Sequence, residues 1–352
     1  MHLFSAGYGG QFQRRPVAYL RHLPFGGTES LEWFRDYLSG RTQQVQVGDS
    51  LSRPYAVTSG ILQGSCAGPL LFLAFINDIV DVIPPDVNCY LFADDVKLSS
   101  GSAASLQRAL SCVEDWAAAW QLSFSPSKCK TLQVARRPID PPPVLTLCGQ
   151  PLESVALMRD LGVLVASDLS FSQHIDKVIR SASAAGYNIL KCFTSGRLLV
   201  MSRAYKVYVR PHLESFTPVW SPSTKAQSIA IEKVQRRFTR HVFQRCQIQP
   251  VPGYDERLEI LGLERLDARR DRIDLLLAHQ IYHSSPCHPL HNLFQRHKPR
   301  EGLRPSHRII VDPQPNLARK TFFTHRVAPR WNLLDHDVAM LSFSAFRAKL
   351  SK

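Results

Sequence analysis

Two adjacent carboxylates, Asp94 and Asp95, end the tetrapeptide Phe92-Ala93-Asp94-Asp95, with an apolar stretch from Cys89 to Phe92 before them and an alternating one from Val96 to Ser99 after them. This arrangement predicts a β-hairpin whose tip carries both acids. Hard divalent cations take carboxylate oxygens, and two such ions about 4 Å apart can clamp the attacking and leaving oxygens of a phosphoryl transfer. Asp-Asp is also a common turn dipeptide, so the pair alone does not separate a site from a turn.

The surrounding sequence contains the elements needed to hold such a hairpin. Polar and apolar residues alternate from Thr42 to Val57 around Gly48-Asp49, which reads as a hairpin with a tight primed turn. Gly60 to Gly68 is a Gly-rich loop. Pro69 suits the first turn of a helix with Leu71, Phe72, Phe75 and Ile79 at helical spacing, ending before Pro84-Pro85. Ser102 caps an amphipathic helix presenting Leu106, Leu110, Val113, Ala117 and Trp120, which Pro126 stops, and Thr131 to Ala135 reads as a strand. After the Pro-rich connection from Arg136 to Pro143 come a strand pair around Gly149-Gln150 and the apolar stretch Leu161 to Val165.

Beyond Ser170 the apolar residues recur at helical spacing, through Ile175, Val178 and Ala182 and again through Ile229, Val234, Phe238 and Val242. From Glu256 onward Arg and Leu alternate in blocks, and breaks at Pro286, Pro299, Pro305 and Pro313 predict a loosely organised helical tail. The fold class is therefore α+β, mixed in the first half and helical in the second, with no internal repeat.

At 352 residues and 44% apolar content the chain can bury two or more cores. Its 43 Lys and Arg against 29 Asp and Glu leave a net charge of +14, which suits a polyanionic partner such as nucleic acid or an anionic membrane surface. The apolar run Pro69 to Ile76 is far shorter than the roughly 20 residues a membrane helix needs. Met1 to Gly10 shows no basic segment before an apolar core, so the expectation is an intracellular protein, nuclear or cytoplasmic, with no signal peptide and no membrane partner. The eight cysteines form no Cys-x-x-Cys pair and read as reduced thiols. His283, Cys287, His288 and His291 lack a second ligand pair at a finger-like distance and read as ordinary side chains. Lys233, Arg236, Arg237 and Arg240 are candidates for contact with a phosphate backbone, with Lys233, Arg237 and Arg240 spaced to share a helix face. A simply solvated face is the alternative.

Taken in order, these residues resemble the reverse transcriptases of non-LTR (LINE-type) retrotransposons. Gly60 to Ser65 with Gly68 to Phe72 and Ile76-Asn77-Asp78 is similar to that family's motif B, and Phe92 to Asp95 to motif C. Trp120 through Cys129 resembles motif D, Leu161-Gly162-Val163 with Leu169 and His174-Ile175 resembles motif E, and Tyr208 to Glu214 with Val219 to Pro222 resembles the region after the thumb. Ala328 to Asn332 is similar to the terminal segment. The resemblance covers roughly residues 26 to 350, and an ordered series is far more specific than one motif.

The resemblance implies a partial right-hand polymerase palm at residues 26–165 with a residual fingers hairpin, thumb and connecting helices at 166–250, and a basic helical region at 251–352. Residues 1–25 stay unassigned. It implies Asp94 and Asp95 as metal-holding carboxylates for Mg²⁺ or Mn²⁺, two ions in an intact relative, and Lys128 near the leaving pyrophosphate. Gln63, Gly64, Phe92 and Ala93 would border the nucleotide and template, and Leu161, Gly162 and Val163 would grip the primer. The implied partners are an RNA template, a DNA primer and deoxynucleoside triphosphates.

The sequence departs from the family pattern at one decisive place. Such enzymes use three carboxylates, the first from motif A upstream of motif B, yet Met1 to Thr28 contains no Asp or Glu at all. Two acids leave too few oxygens for two divalent ions, so catalysis by this chain alone is expected to be badly impaired. The endonuclease segment of many relatives is not found either, and a truncated element copy or a late start is the expectation. A non-catalytic nucleic-acid-binding remnant and an inactive product are the competing readings.

Overall fold

The computed structural model describes residues 2–7, 27–57, 60–61, 64–135, 141–194, 196–296, 306–311 and 321–350. It divides into two compact units, one of Met1–Asp160 with Ala166–Asp168 and the other of Leu161–Val165 with Leu169–Lys352.

The first unit is organised on a five-stranded sheet. The strand β1 (His2–Gly7) runs at its centre, antiparallel to β7 (Asp95–Ser100) on one side and to β8 (Lys130–Gln133) on the other. β6 (Asn88–Phe92) pairs antiparallel with β7 and forms one edge, while β11 (Glu153–Val155) pairs parallel with β8 and forms the other. The stretch from Thr42 to Ala56 is a hairpin of short strands β2 to β5, closed at Gly48-Asp49 with Gly48 at φ 60°. The sequence pattern anticipated that turn.

Among the described residues three helices belong to this unit: α1 (Gly27–Leu38), α2 (Ala67–Ile76) and α3 (Ala103–Ala119). Ser102 caps α3 as expected, its Oγ accepting from the Ser105 amide. Leu106, Leu110 and Val113 of α3 are fully buried with Val96 and Leu98 of β7 in one core. Burying a side chain of that size contributes about 1.5–3 kcal/mol, so the strand carrying Asp95 is held by its own apolar alternation. Asp78, in the 3₁₀ turn that prolongs α2, accepts from Trp116 Nε1 at 3.0 Å and fastens that turn to α3. β9 (Thr146–Leu147) and β10 (Gln150–Pro151) form the expected strand pair about Gly149. β12 (Leu157–Asp160) completes the unit's strands, and β13 (Val163–Ala166) begins the passage into the second unit.

In the second unit, α4 (Ser172–Cys192) lies beside α8 (Lys225–Arg245), with short segments α5 (Leu198–Ala204), a π turn (Tyr205–Val209), α6 (Arg210–Glu214) and α7 (Thr217–Trp220) between them in sequence. Gln227 Nε2 reaches Ser172 Oγ, Phe238 meets Gly186, and Arg245 donates to the carbonyls of Leu190 and Phe193, so the two long helices run parallel. A methyl on Gly186 would sit 3.3 Å from Phe238 Cδ2, which explains glycine at that crossing. Buried His174 accepts from the Leu164 amide through Nδ1 at 3.2 Å and stacks edge-on against Trp220. Burial first, and then the charge of Lys177, lower its pKa, which favours the neutral acceptor.

Where it is described, the tail that the sequence reads as loosely organised forms helices about a shared core. α9 (Tyr254–Leu261) and α10 (Leu266–Tyr282) are followed by α11 (Phe323–Asn332), α12 (His336–Ala339) and α13 (Phe343–Lys349) around a core containing Val327, Trp331 and Phe346. Of the expected breaks, Pro286 lies in the turn after α10, and Pro299, Pro305 and Pro313 lie outside the described residues. Pro329 lies inside α11, and Arg326 spends its charge on buried Asp274. His283 Nε2 lies 2.9 Å from the Ala339 carbonyl and His291 Nδ1 lies 2.8 Å from the Ser284 carbonyl, consistent with structural roles. Among the described residues no helix is long and apolar enough to cross a membrane.

Candidate active site

The Asp94–Asp95 tip is built by register. Phe92 faces Asp95 across the β6–β7 ladder, which leaves Ala93 and Asp94 as a two-residue turn. Ala93 takes φ 49° there, a left-handed conformation that costs an L-residue about 1–2 kcal/mol. A positive φ at the first central position is what a tight primed hairpin turn demands. The turn leaves Asp94 exposed and Asp95 half-buried, while Val96, the next residue, anchors the strand with no exposed surface.

Around the tip the electrostatics are unfavourable to charge. Burial, then the charge of Asp94, then that of Asp160 raise the Asp95 pKa above the ordinary carboxylate value of 3.8. Asp160 closes β12 and pairs with Lys97, two residues beyond Asp95 on β7. A raised native pKa means that the ionised form opposes folding: its effect is absent while Asp95 is protonated in both states and grows as pH rises through the unfolded and then the folded value. Asp95→Asn is therefore expected to stabilise the chain at pH 7 to 8, with the advantage vanishing below about pH 4. Denaturant midpoints at the two pH extremes measure it.

The register also shows what faces the pair. Gly7 is the β1 residue opposite Asp95, and no residue of β1 is an acid. Among the described residues no group of three His, Cys, Asp or Glu is placed to hold a metal ion. Two neighbouring carboxylates are donors of the right chemistry for one hard divalent ion, but they do not supply a site for two.

The other sequence candidates distribute as follows. Gln63 lies outside the described residues, and Gly64 has φ 84°. Phe92 is 63% exposed at the edge strand. Lys128 is exposed on the 3₁₀ turn Pro126–Lys128. Leu161 and Gly162, at φ 44° and 91°, make the turn that follows β12, whereas Val163 is buried in the core of the second unit. Lys233, Arg237 and Arg240 are exposed along α8, and exposed Arg236 lies 4.6 Å over the Tyr254 ring. Asp160 and Lys97 were missed by sequence reasoning, since two charges 63 residues apart leave no local pattern.

Residues 19–152, which include this hairpin, match the family described as reverse transcriptase (RNA-dependent DNA polymerase). Over that segment the chain is similar to reverse transcriptases. In Drosophila melanogaster it is 26% identical over 221 residues to "Probable RNA-directed DNA polymerase from transposon X-element", covering 58% of this chain and 24% of that protein. It is 28% identical over 156 residues to "RNA-directed DNA polymerase from mobile element jockey" of the same organism, covering 41% and 17%. The likeness to "Probable RNA-directed DNA polymerase from transposon BS", also from that fly, is 25% over 232 residues, covering 59% and 25%. The resemblance to reverse transcriptases of non-LTR elements, drawn above from motif order, agrees with these relatives, and the chain spans about a quarter or less of their length.

Proposed function

We propose that this chain is part of an RNA-directed DNA polymerase of a non-LTR retrotransposon, with Asp94 and Asp95 as two of the three carboxylates of its nucleotidyl-transfer site. The supporting observation is the tight Phe92–Asp95 hairpin inside the segment that matches the reverse transcriptase family. In this reading the five-stranded sheet is the palm and the helices from α4 onward are the thumb and C-terminal region. Lys128 and Gly64 serve the triphosphate, Leu161 and Gly162 the primer, and the exposed cations of α8 the nucleic acid backbone. RNA template, DNA primer and deoxynucleoside triphosphates are the partners.

A divalent ion, when bound, supplies charge stabilisation at the phosphoryl oxygens. The chain's own part is to present Asp94 and Asp95 from a fixed turn, and with Gly7 across the ladder no third acid joins the set among the described residues. The chain by itself is accordingly inactive. Mn²⁺ titration followed by electron paramagnetic resonance tests the carboxylate pair: one weak site is expected in the native chain, lost in Asp94→Ala/Asp95→Ala. Equal Mn²⁺ binding by both proteins would contradict it.

A further inference from the structure

The second unit concentrates positive charge in excess of its acids at a place distinct from α8. Arg203 of α5, Lys206 of the π turn, Arg210 of α6 and Arg269 of α10 are gathered so that the charges of Arg210, Arg269 and Arg203 all bear on the Lys206 ammonium. Together with burial, which comes first, they lower its pKa. Two carboxylates answer part of this charge. Glu214 is shared by Arg210 at 3.7 Å and by Arg269, while Glu264 is shared by Arg269 at 3.3 Å and Arg272 at 2.7 Å. Five cations, Arg203, Lys206, Arg210, Arg269 and Arg272, thus meet two acids.

Neither Arg203 nor Lys206 has a hydrogen-bond or ion-pair partner among the described residues. A structural role for Lys206 as a cap on α9 is the competing explanation, because its Nζ lies 3.7 Å from where a methyl on Gly262 would stand. The carbonyls at that helix end are largely committed already. Leu258 O accepts from Leu263 N, Glu259 O from Gly262 N and Leu261 O from Ser202 Oγ. Like charges held together cost free energy unless an anion joins them.

We propose that Arg203 and Lys206, backed by Arg210 and Arg269, form a binding site for the phosphate groups of a single nucleic acid strand. The proposal rests on the nucleic-acid reading above and adds to it a second contact surface, separate from Lys233, Arg237 and Arg240. Arg203 is exposed and Lys206 half-exposed, so a strand can reach both.

Fluorescence anisotropy of a labelled single-stranded RNA with the full chain, across a range of KCl concentrations, tests it. Arg203→Gln/Lys206→Gln is expected to weaken binding about 10-fold near 0.1 M salt and to reduce the slope of log K against log salt by about 1.4, two contacts at ~0.7 each. Lys206→Arg, which keeps the charge, is expected to bind like the native chain. Unchanged affinity and slope in the double variant, with its circular dichroism melt intact, would overturn the proposal while leaving the functional reading standing. No RNA binding by the native chain would overturn both. At matched ionic strength inorganic phosphate is expected to compete no better than chloride; displacement of RNA by submillimolar phosphate would assign the site to a free anion and overturn the strand assignment.

Discussion

Asp274→Ala is expected to destabilise the second unit by about 3–5 kcal/mol, the cost of leaving a buried charge without its partner. The Asp274 side chain is 1% exposed and that of Arg326 is 15% exposed, and the two share a bidentate contact of 2.8 and 3.2 Å. Arg326 also donates to the carbonyls of Thr321 and Pro218, so the same guanidinium joins α10, α11 and α7. Asp274 serves a second buried cation, since its charge also favours the protonated Arg270 guanidinium. The pair need not be a net source of stability. Replacing both partners, as Asp274→Ala/Arg326→Met, is expected to recover part of the loss, because it leaves no unpaired charge at that bond while Arg270 still lacks Asp274. A double-mutant cycle from denaturant melts measures the coupling, and additive single-variant effects would show that the bond contributes nothing specific.

The second large effect is a gain. Residue 7 stands across the antiparallel ladder from Asp95, and partners in such a ladder carry their side chains on the same face with Cβ atoms about 4.5–5.5 Å apart. Gly7→Asp therefore directs a third carboxylate to the face on which Asp95 stands. A third donor set of two oxygens brings the cluster closer to the six ligands that a hard divalent ion requires. Charge stabilisation by a bound ion is worth several kcal/mol, so Mg²⁺-dependent nucleotide addition is expected to rise by roughly 10²-fold or more over the native sequence. Without divalent ions the added acid has the opposite effect: it increases repulsion around Asp94 and Asp95 and lowers the melting temperature.

Much of the first unit was legible because its signals are local. The Gly48-Asp49 turn, the Ser102 cap and the acid-tipped hairpin each follow from neighbouring residue types, and all three are present. What escaped the sequence is what depends on distant partners. Asp160 meets Lys97 only because β12 returns to the sheet, and Asp78 meets Trp116 only because the turn after α2 packs on α3. The central position of His2–Gly7 was invisible for the same reason: the strand gains its place from pairing with β7 and β8, which are distant in sequence. In the C-terminal region Pro299, Pro305 and Pro313 lie outside the described residues, and the core that the described helices share joins residues far apart in sequence. Trp331, fully buried with its Nε1 donating to the His307 carbonyl, shares a core with Val327 and Phe346 that only the fold assembles.

Primer extension on an RNA template in Mg²⁺, with the native chain, Gly7→Asp and Gly7→Asp/Asp94→Ala run side by side, addresses the assignment of the Asp94–Asp95 hairpin most directly. The expected result is no extension by the native chain, extension by Gly7→Asp, and its loss when Asp94 is removed. Extension by Gly7→Asp that survives the addition of Asp94→Ala would contradict the assignment of this hairpin as the catalytic carboxylate pair.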